Sequence, residues 1–228
     1  MQKQNKIMIF DMDGVILDSE PLHQNAREIL YKKYKIYSTE NLPNPVGKSS
    51  SGFWELVAKR NGRIWDSDQM EKEQYDLVAE QVRNNNQVKS KGLKELLCWC
   101  VQNGWLIGLA SSSTRRLVEQ ILEALHIRQY FDVIVCGDEV KNKKSAPDIY
   151  EKVLKLAGVN RNNAFAVEDS DTGIAAAKRA GIFCYGYRNK SSGQQKLSEA
   201  DEVIDHLKEI MEKKENVRRF KTKGLGGK

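Results

Sequence analysis

Asp11 and Asp13 stand one residue apart, directly after the apolar run Ile7-Met8-Ile9-Phe10, and Gly14 follows them. Two carboxylates that close repel each other, so both stay ionised only beside a cation or a basic group. The pair therefore points to a metal site, to a pair of catalytic carboxylates, or to both. Three later apolar runs also end in polar residues. Trp105–Ala110 leads into Ser111, Ser112 and Ser113. Phe131–Cys136 leads through Gly137-Asp138-Glu139 to Lys143-Lys144-Ser145-Ala146-Pro147-Asp148. Ala164–Val167 leads into Glu168-Asp169-Ser170. Carboxylates, hydroxyls and an ammonium group suit phosphoryl transfer. Carboxylates, water and phosphate oxygens ordinarily hold Mg²⁺, while lysine and serine orient phosphoryl oxygens.

These groups need a scaffold that brings run ends together. Four apolar residues in a row predict a strand buried on both faces, and Gly14 supplies the freedom for a sharp turn. The later runs alternate with amphipathic helices. Leu93, Leu96, Leu97, Cys100 and Val101 share one helical face, ended by Asn103-Gly104. Helix 115–125 turns Leu117, Ile121, Leu122 and Leu125 inward. Pro147 opens a helix carrying Ile149, Val153, Leu154 and Ala157, and helix 172–180 is rich in alanine. Phe183–Tyr185 and Val203-Ile204 read as the last strands. The alternation predicts an α/β fold, a doubly wound, mostly parallel Rossmann-like sheet with helices on both faces. Strand ends in such a sheet converge on one crevice.

Residues 19–89 break the alternation with three helical patterns. Leu22, Ala26, Ile29 and Leu30 share a face; so do Phe53, Trp54 and Val57. A third segment, behind the N-cap pair Asp66-Ser67, carries Met70, Leu77, Val78 and Val82. The expected organisation is a core of 1–18 and 90–210, an inserted all-helical cap of 19–89, and a basic tail of 211–228.

The 228 residues are 40% hydrophobic and 30% charged, enough for a sizeable core. No stretch approaches ~18 consecutive apolar residues, and Met1–Lys6 lacks the features of a signal peptide, so no membrane partner and a cytoplasmic location are expected. Residues 211–228 hold seven basic and two acidic side chains, a net +5 of the chain's +6. The body is nearly neutral and the tail reads as solvated, so no nucleic-acid partner is expected; a monomer is. Cys98, Cys100, Cys136 and Cys184 read as reduced core thiols. Gly47-Lys48-Ser49 imitates the end of a P-loop, but Leu42 occupies the place of the required glycine. Arg115 and Arg116 read as solvated charge.

The four run ends, in order and with a helical insert after the first, resemble the haloacid dehalogenase superfamily, in its β-phosphoglucomutase-like, helical-cap phosphatase branch. The matching segments are Asp11-Met12-Asp13-Gly14-Val15, Ser111, Lys144 in Lys-Ser-Ala-Pro-Asp, and Glu168-Asp169-Ser170-Asp171-Thr172-Gly173. The resemblance implies a Mg²⁺-dependent phosphatase of a small phosphorylated metabolite, such as a sugar phosphate, working through an aspartyl phosphate. Asp11 would be the nucleophile and Asp13 the general acid and then base, with Asp13 keeping a proton near neutral pH. Asp11, Asp13 (through its carbonyl) and Asp169 would hold Mg²⁺, with Glu168 behind them. Ser111, Ser112 and Lys144 would bind the phosphoryl group. By the same resemblance, His23, Lys48 and Ser50 would be the cap positions facing substrate. Two departures stand out: Ser145 replaces a usual proline, and Ser50 aligns where the mutases carry a phosphate-gripping arginine. Lysine does not grip phosphate bidentately as arginine does, so Lys48 is a weak substitute. This places a hexose-phosphate mutase second and a non-catalytic sugar-phosphate binding protein third.

Overall fold

The run Ile7–Phe10 forms β1, and every residue of it is buried. The structure, a computed structural model, describes residues 5–37, 42, 50–85 and 89–212. β2 (Leu106–Ser111), β3 (Val133–Cys136), β4 (Ala164–Glu168), β5 (Phe183–Tyr187) and β6 (Glu202–Ile204) complete the sheet. The order is β3-β2-β1-β4-β5-β6, and every neighbouring pair is parallel. The chain builds outward from β1 to β3, then crosses back and builds out the other way from β4. A ligand crevice forms at such a reversal, outside the carboxyl ends of the strands. Phe10 pairs with Leu109 on one side and Val167 on the other. The register therefore brings Asp11, Ala110 and Glu168 level.

The side-chain period of two divides β1 between two cores. Met8 and Phe10 join a cluster with Leu93, Leu96 and Leu97 of α4 (Leu93–Gln102) and Leu117 and Ile121 of α5 (Arg115–Ala124). Ile7 and Ile9 join the opposite cluster, with Ile149 and Val153 of α6 (Asp148–Ala157) and Ile174, Ala176 and Ala177 of α7 (Asp171–Arg179). A short α8 (Glu209–Glu212) follows β6.

Between β1 and α4 lie α1 (Glu20–Lys33), α2 (Ser50–Arg60) and α3 (Ser67–Asn84). They share a separate core of Leu30, Phe53, Trp54, Val57 and Met70. The Asp66 carboxylate accepts the Asp68 and Gln69 N–H groups at 3.1 and 3.0 Å and starts α3. Further along α3, Tyr75, Val78 and Val82 join the main core. The Asp76 carboxylate reaches α5, accepting from Arg116 Nη2 at 2.7 Å and Gln120 Nε2 at 3.3 Å.

Several sequence expectations need correction. Ile29 is 41% exposed and Val101 55% exposed. In α1 the inward face is Ala26, Arg27 and Leu30. Ile29 lies roughly 200° around the helix from Arg27. Arg115 is not solvated charge: it bonds Glu119, Glu139 and the Ile134 carbonyl, tying α5 to the end of β3. Arg116 bridges to α3 instead of standing free. The cysteines are free thiols, and burial pushes those of Cys100 and Cys136 up to about 12. The P-loop imitation, Lys48 and residues 213–228 of the tail lie outside the described residues. Among the described residues no helix is long and apolar enough to cross a membrane.

Candidate active site

Asp11 leaves the end of β1 with its N–H bonded to the Val167 carbonyl at 3.0 Å, which fixes the residue against β4. Lys144 arrives from the loop before α6. Its Nζ donates to Asp11 Oδ1 at 2.6 Å, Glu168 Oε1 at 2.6 Å and the Ala110 carbonyl at 2.7 Å. The Tyr150 hydroxyl, on the first turn of α6, donates to the same Glu168 oxygen at 2.6 Å. Asp169 accepts from the Ser192 hydroxyl. Two glycines permit this crowding. Gly14 has φ +82°, and a Cβ on it would overlap the Asp169 carboxylate; a Cβ on Gly173 would overlap that of Glu168.

Asp13 sits to one side, against the helical insert. Its Oδ2 accepts from Ser113 Oγ at 3.0 Å. Its Oδ1 is buried without a hydrogen-bond partner among the described residues, and His23 Nε2 of α1 stands 3.8 Å from it. A cavity of about 540 Å³ opens above these groups, between the strand ends and the insert helices. Arg27, Phe53, Gln74 and Tyr75 line its far wall. The Arg27 side chain is only 10% exposed; it bonds Glu20 Oε1 at 2.6 Å and lies over the Phe53 ring.

The electrostatics divide the carboxylates. Burial pushes Asp11 well above the ordinary carboxyl range, only partly offset by Lys144, with Glu168, Asp169 and Asp13 adding to the rise. Burial, and then the charge of Glu168, pushes Asp169 up to about 7. Burial alone would lower Lys144, but Asp11 and Glu168 hold it well above its usual value. Asp13 goes the other way. Burial would raise it, but His23, Ser19 and Ser113 outweigh that and hold it below its usual value. This direction is opposite to the expectation that Asp13 keeps its proton near neutral pH: the donors of His23, Ser19 and Ser113 outweigh burial and the neighbouring carboxylates.

Ligand atoms of Asp11, Glu168 and Asp169 lie within 4.8 Å of one another. When all three buried carboxylates are ionised, the one ammonium leaves a deficit of two charges, and burial without a further cation is what pushes Asp11 and Asp169 up. The donors are hard oxygens, so the site fits a divalent cation such as Mg²⁺ in both charge and chemistry.

Of the sequence candidates, Asp11, Lys144, Glu168 and Asp169 meet directly, and Asp13, Ser112 and His23 line the cavity beside them. Ser111 is fully buried at the end of β2 and accepts the Ser113 N–H at 3.1 Å; it supports the loop from beneath. Of Ser50 only its place at the start of α2 is described. Sequence reasoning noted Ser113 at its run end without giving it a role, and missed Tyr150, Ser192, Gln74 and Arg27. Arg27 follows His23 by four residues, one helical turn, and that spacing was the available signal. Tyr150 and Ser192 carry no comparable signal, because each reaches the site through the way its helix or loop folds back.

A parallel sheet with a lysine-bridged carboxylate cluster at its switch point defines an α/β site equipped for a cation and an anionic ligand. A family model described as haloacid dehalogenase-like hydrolase matches residues 8–187. The chain belongs to this family and is an enzyme. It is 31% identical over 213 residues to a phosphorylated carbohydrates phosphatase of Thermotoga maritima, covering 90% of this chain and 99% of that one. It is 30% identical over 177 residues to a fructose-1-phosphate phosphatase of Escherichia coli, covering 77% and 92%. A β-phosphoglucomutase structure from Clostridium difficile superposes with a TM-score of 0.76 at 24% identity, covering 95% and 98%, and shares the fold.

Proposed function

We propose that this phosphoric monoester hydrolase removes the phosphate of a small sugar or polyol phosphate through an aspartyl phosphate on Asp11. The observation that carries the reading is the Lys144 ammonium 2.6 Å from Asp11 and bonded equally to Glu168 at the sheet's switch point. Residues 19–89 act as the cap, and 1–18 with 90–210 as the core.

An Asp11 carboxylate oxygen attacks phosphorus, and the bond from phosphorus to the substrate's alcohol oxygen breaks. Asp13 gives that oxygen a proton. The free enzyme holds Asp13 ionised, so the proton is taken up when an anionic phosphoryl group binds beside it and raises its affinity. Water then attacks phosphorus, Asp13 takes the water's proton, and the bond to Asp11 breaks. Lys144 favours the ionised form of Asp11 and, with Ser112 and the loop that Ser111 supports from beneath, orients the phosphoryl oxygens. Glu168 holds Lys144 in place. Mg²⁺ held by Asp11, Asp169 and the Asp13 carbonyl would supply charge to offset the phosphoryl oxygens. The unreacting part of the substrate faces Arg27, Phe53 and Tyr75, and closing the cap over it excludes water.

The chain's curated relatives that are named as carbohydrate and fructose-1-phosphate phosphatases support this substrate class. Phosphate release from a panel of phosphorylated sugars and polyols, with Mg²⁺ present, tests it. Turnover of at least one of them is expected, with none in Asp11→Asn. Full turnover in Asp11→Asn, or in excess chelator, would rule the mechanism out.

A further inference from the structure

Two hydrogen bonds run through the cap helices to His23, which faces Asp13, and donor chemistry fixes the direction of both. Trp54 of α2 is fully buried, and its indole N–H can only donate. It points at the Gln74 side chain of α3, 2% exposed, at 2.8 Å. The atom facing Trp54 must therefore be the amide oxygen. The NH₂ group then faces the other way, where it meets His23 Nδ1 of α1 at 2.9 Å. Because the amide donates, Nδ1 must carry the lone pair. The ring proton then sits on Nε2, the nitrogen that faces the unpartnered Asp13 Oδ1 across 3.8 Å.

We infer that Gln74, oriented by Trp54, is a positioning residue that sets the His23 tautomer, so that an N–H rather than a lone pair faces the proton-carrying Asp13. Three helices of the insert each contribute one link. A lone pair on Nε2 would put two acceptors opposite each other and leave Asp13 repelled on its cap side. With the proton there, a closure of about 1 Å brings His23 within hydrogen-bond reach of the Asp13 carboxylate. The pre-set donor holds that carboxylate toward the leaving oxygen. The inference rests on the proposed role of Asp13, but the tautomer itself does not.

The test is ¹⁵N NMR of the histidine rings in the full chain. The protein has three histidines, and the His23 signal is the one lost in His23→Asn. The wild-type His23 should show a protonated Nε2 and a bare Nδ1. Gln74→Glu keeps the shape and still accepts from Trp54, but offers no donor to Nδ1. There the ring should gain a proton at Nδ1; it then either gives up the Nε2 proton or becomes a cation that holds Asp13 ionised, and on either course kcat should fall about tenfold or more while KM stays nearly unchanged. Trp54→Phe frees the amide to turn over and should give a mixture of tautomers with a smaller loss.

A wild-type Nδ1–H tautomer would overturn the inference, as would a Gln74→Glu variant with unchanged spectrum. A changed spectrum at unchanged kcat would refute the positioning role. A wild-type protein with the stated tautomer and no phosphatase activity would instead count against the proposed function and leave the hydrogen-bond chain standing.

Discussion

Removing divalent cations should make this protein lose stability as the pH rises from 5 to 7, against the usual direction for carboxylates. The Asp169 carboxyl moves from 3.8 to about 7 in the folded protein. Its folded value lies above its unfolded one, so the folded state holds the extra proton. The associated stabilisation is fully present below pH 4 and is lost as the pH rises through about 7. Between pH 5 and 7 the slope begins at about 1.4 kcal/mol per pH unit and halves as the pH reaches the folded value, so the loss is about 2 kcal/mol. In a chain of this size that corresponds to a fall of roughly 4–8 °C in Tm. Asp11 shifts in the same direction and adds to the effect. Carboxyls held low, such as Asp13, Glu73 and Glu139, titrate below this window and do not cancel it.

Thermal unfolding in chelator at pH 5, 6, 7 and 8 measures the slope, and Asp169→Asn isolates it. That variant should be flatter than the wild type over this range and more stable than it at pH 7 in chelator. Mg²⁺ should stabilise the wild type progressively more as the pH rises, because it favours the ionised carboxylates. A wild-type Tm in chelator that rises from pH 5 to 7, or a Mg²⁺ stabilisation equal at pH 5 and 8, would refute the reasoning.

Three further outcomes follow from the packing. Tyr150→Phe removes a buried donor from Glu168 and should cost about 1–3 kcal/mol in urea unfolding. It should lower kcat/KM less than tenfold, because Asp11 and the Ala110 carbonyl still hold Lys144. Gly173→Ala drives a methyl into the Glu168 carboxylate and should cost about 1–3 kcal/mol together with most of the turnover. Asp76→Ala breaks a bridge whose two side chains are 44% and 48% exposed, and should change stability by no more than about 1 kcal/mol, with the difference shrinking in salt.

What could be read from the sequence followed from local physics. Asp11, Asp13, Lys144, Glu168 and Asp169 follow short apolar runs, and a buried parallel strand leaves little choice about where its last residue emerges. The fold class was legible for the same reason, with strand edges displaced by a residue or two. Ile29 and Val101 failed because an apolar residue near the edge of a helical stripe reads as inward until the partner surface is known. Tyr150 and Ser192 reach Glu168 and Asp169 only through tertiary folding of α6 and the loop after β5. The Asp13 environment was misjudged because Ser113 and His23, separated from it by 100 and 10 residues, approach it in space and contribute donors. Gln74 and Trp54 form no motif; their significance lies in the direction of two hydrogen bonds.

The central claim is that phosphate passes through a covalent bond to Asp11. Asp13→Asn with p-nitrophenyl phosphate tests it directly. That leaving group departs without a proton, so the first step proceeds, while the water attack lacks its base and the intermediate accumulates. Acid quenching, borohydride reduction and peptide mass spectrometry then read the site. The account predicts a burst of one nitrophenolate per protein and reduction at Asp11 alone. Slow linear release with an unmodified Asp11, or a burst that survives in the Asp11→Asn and Asp13→Asn double variant, would contradict it.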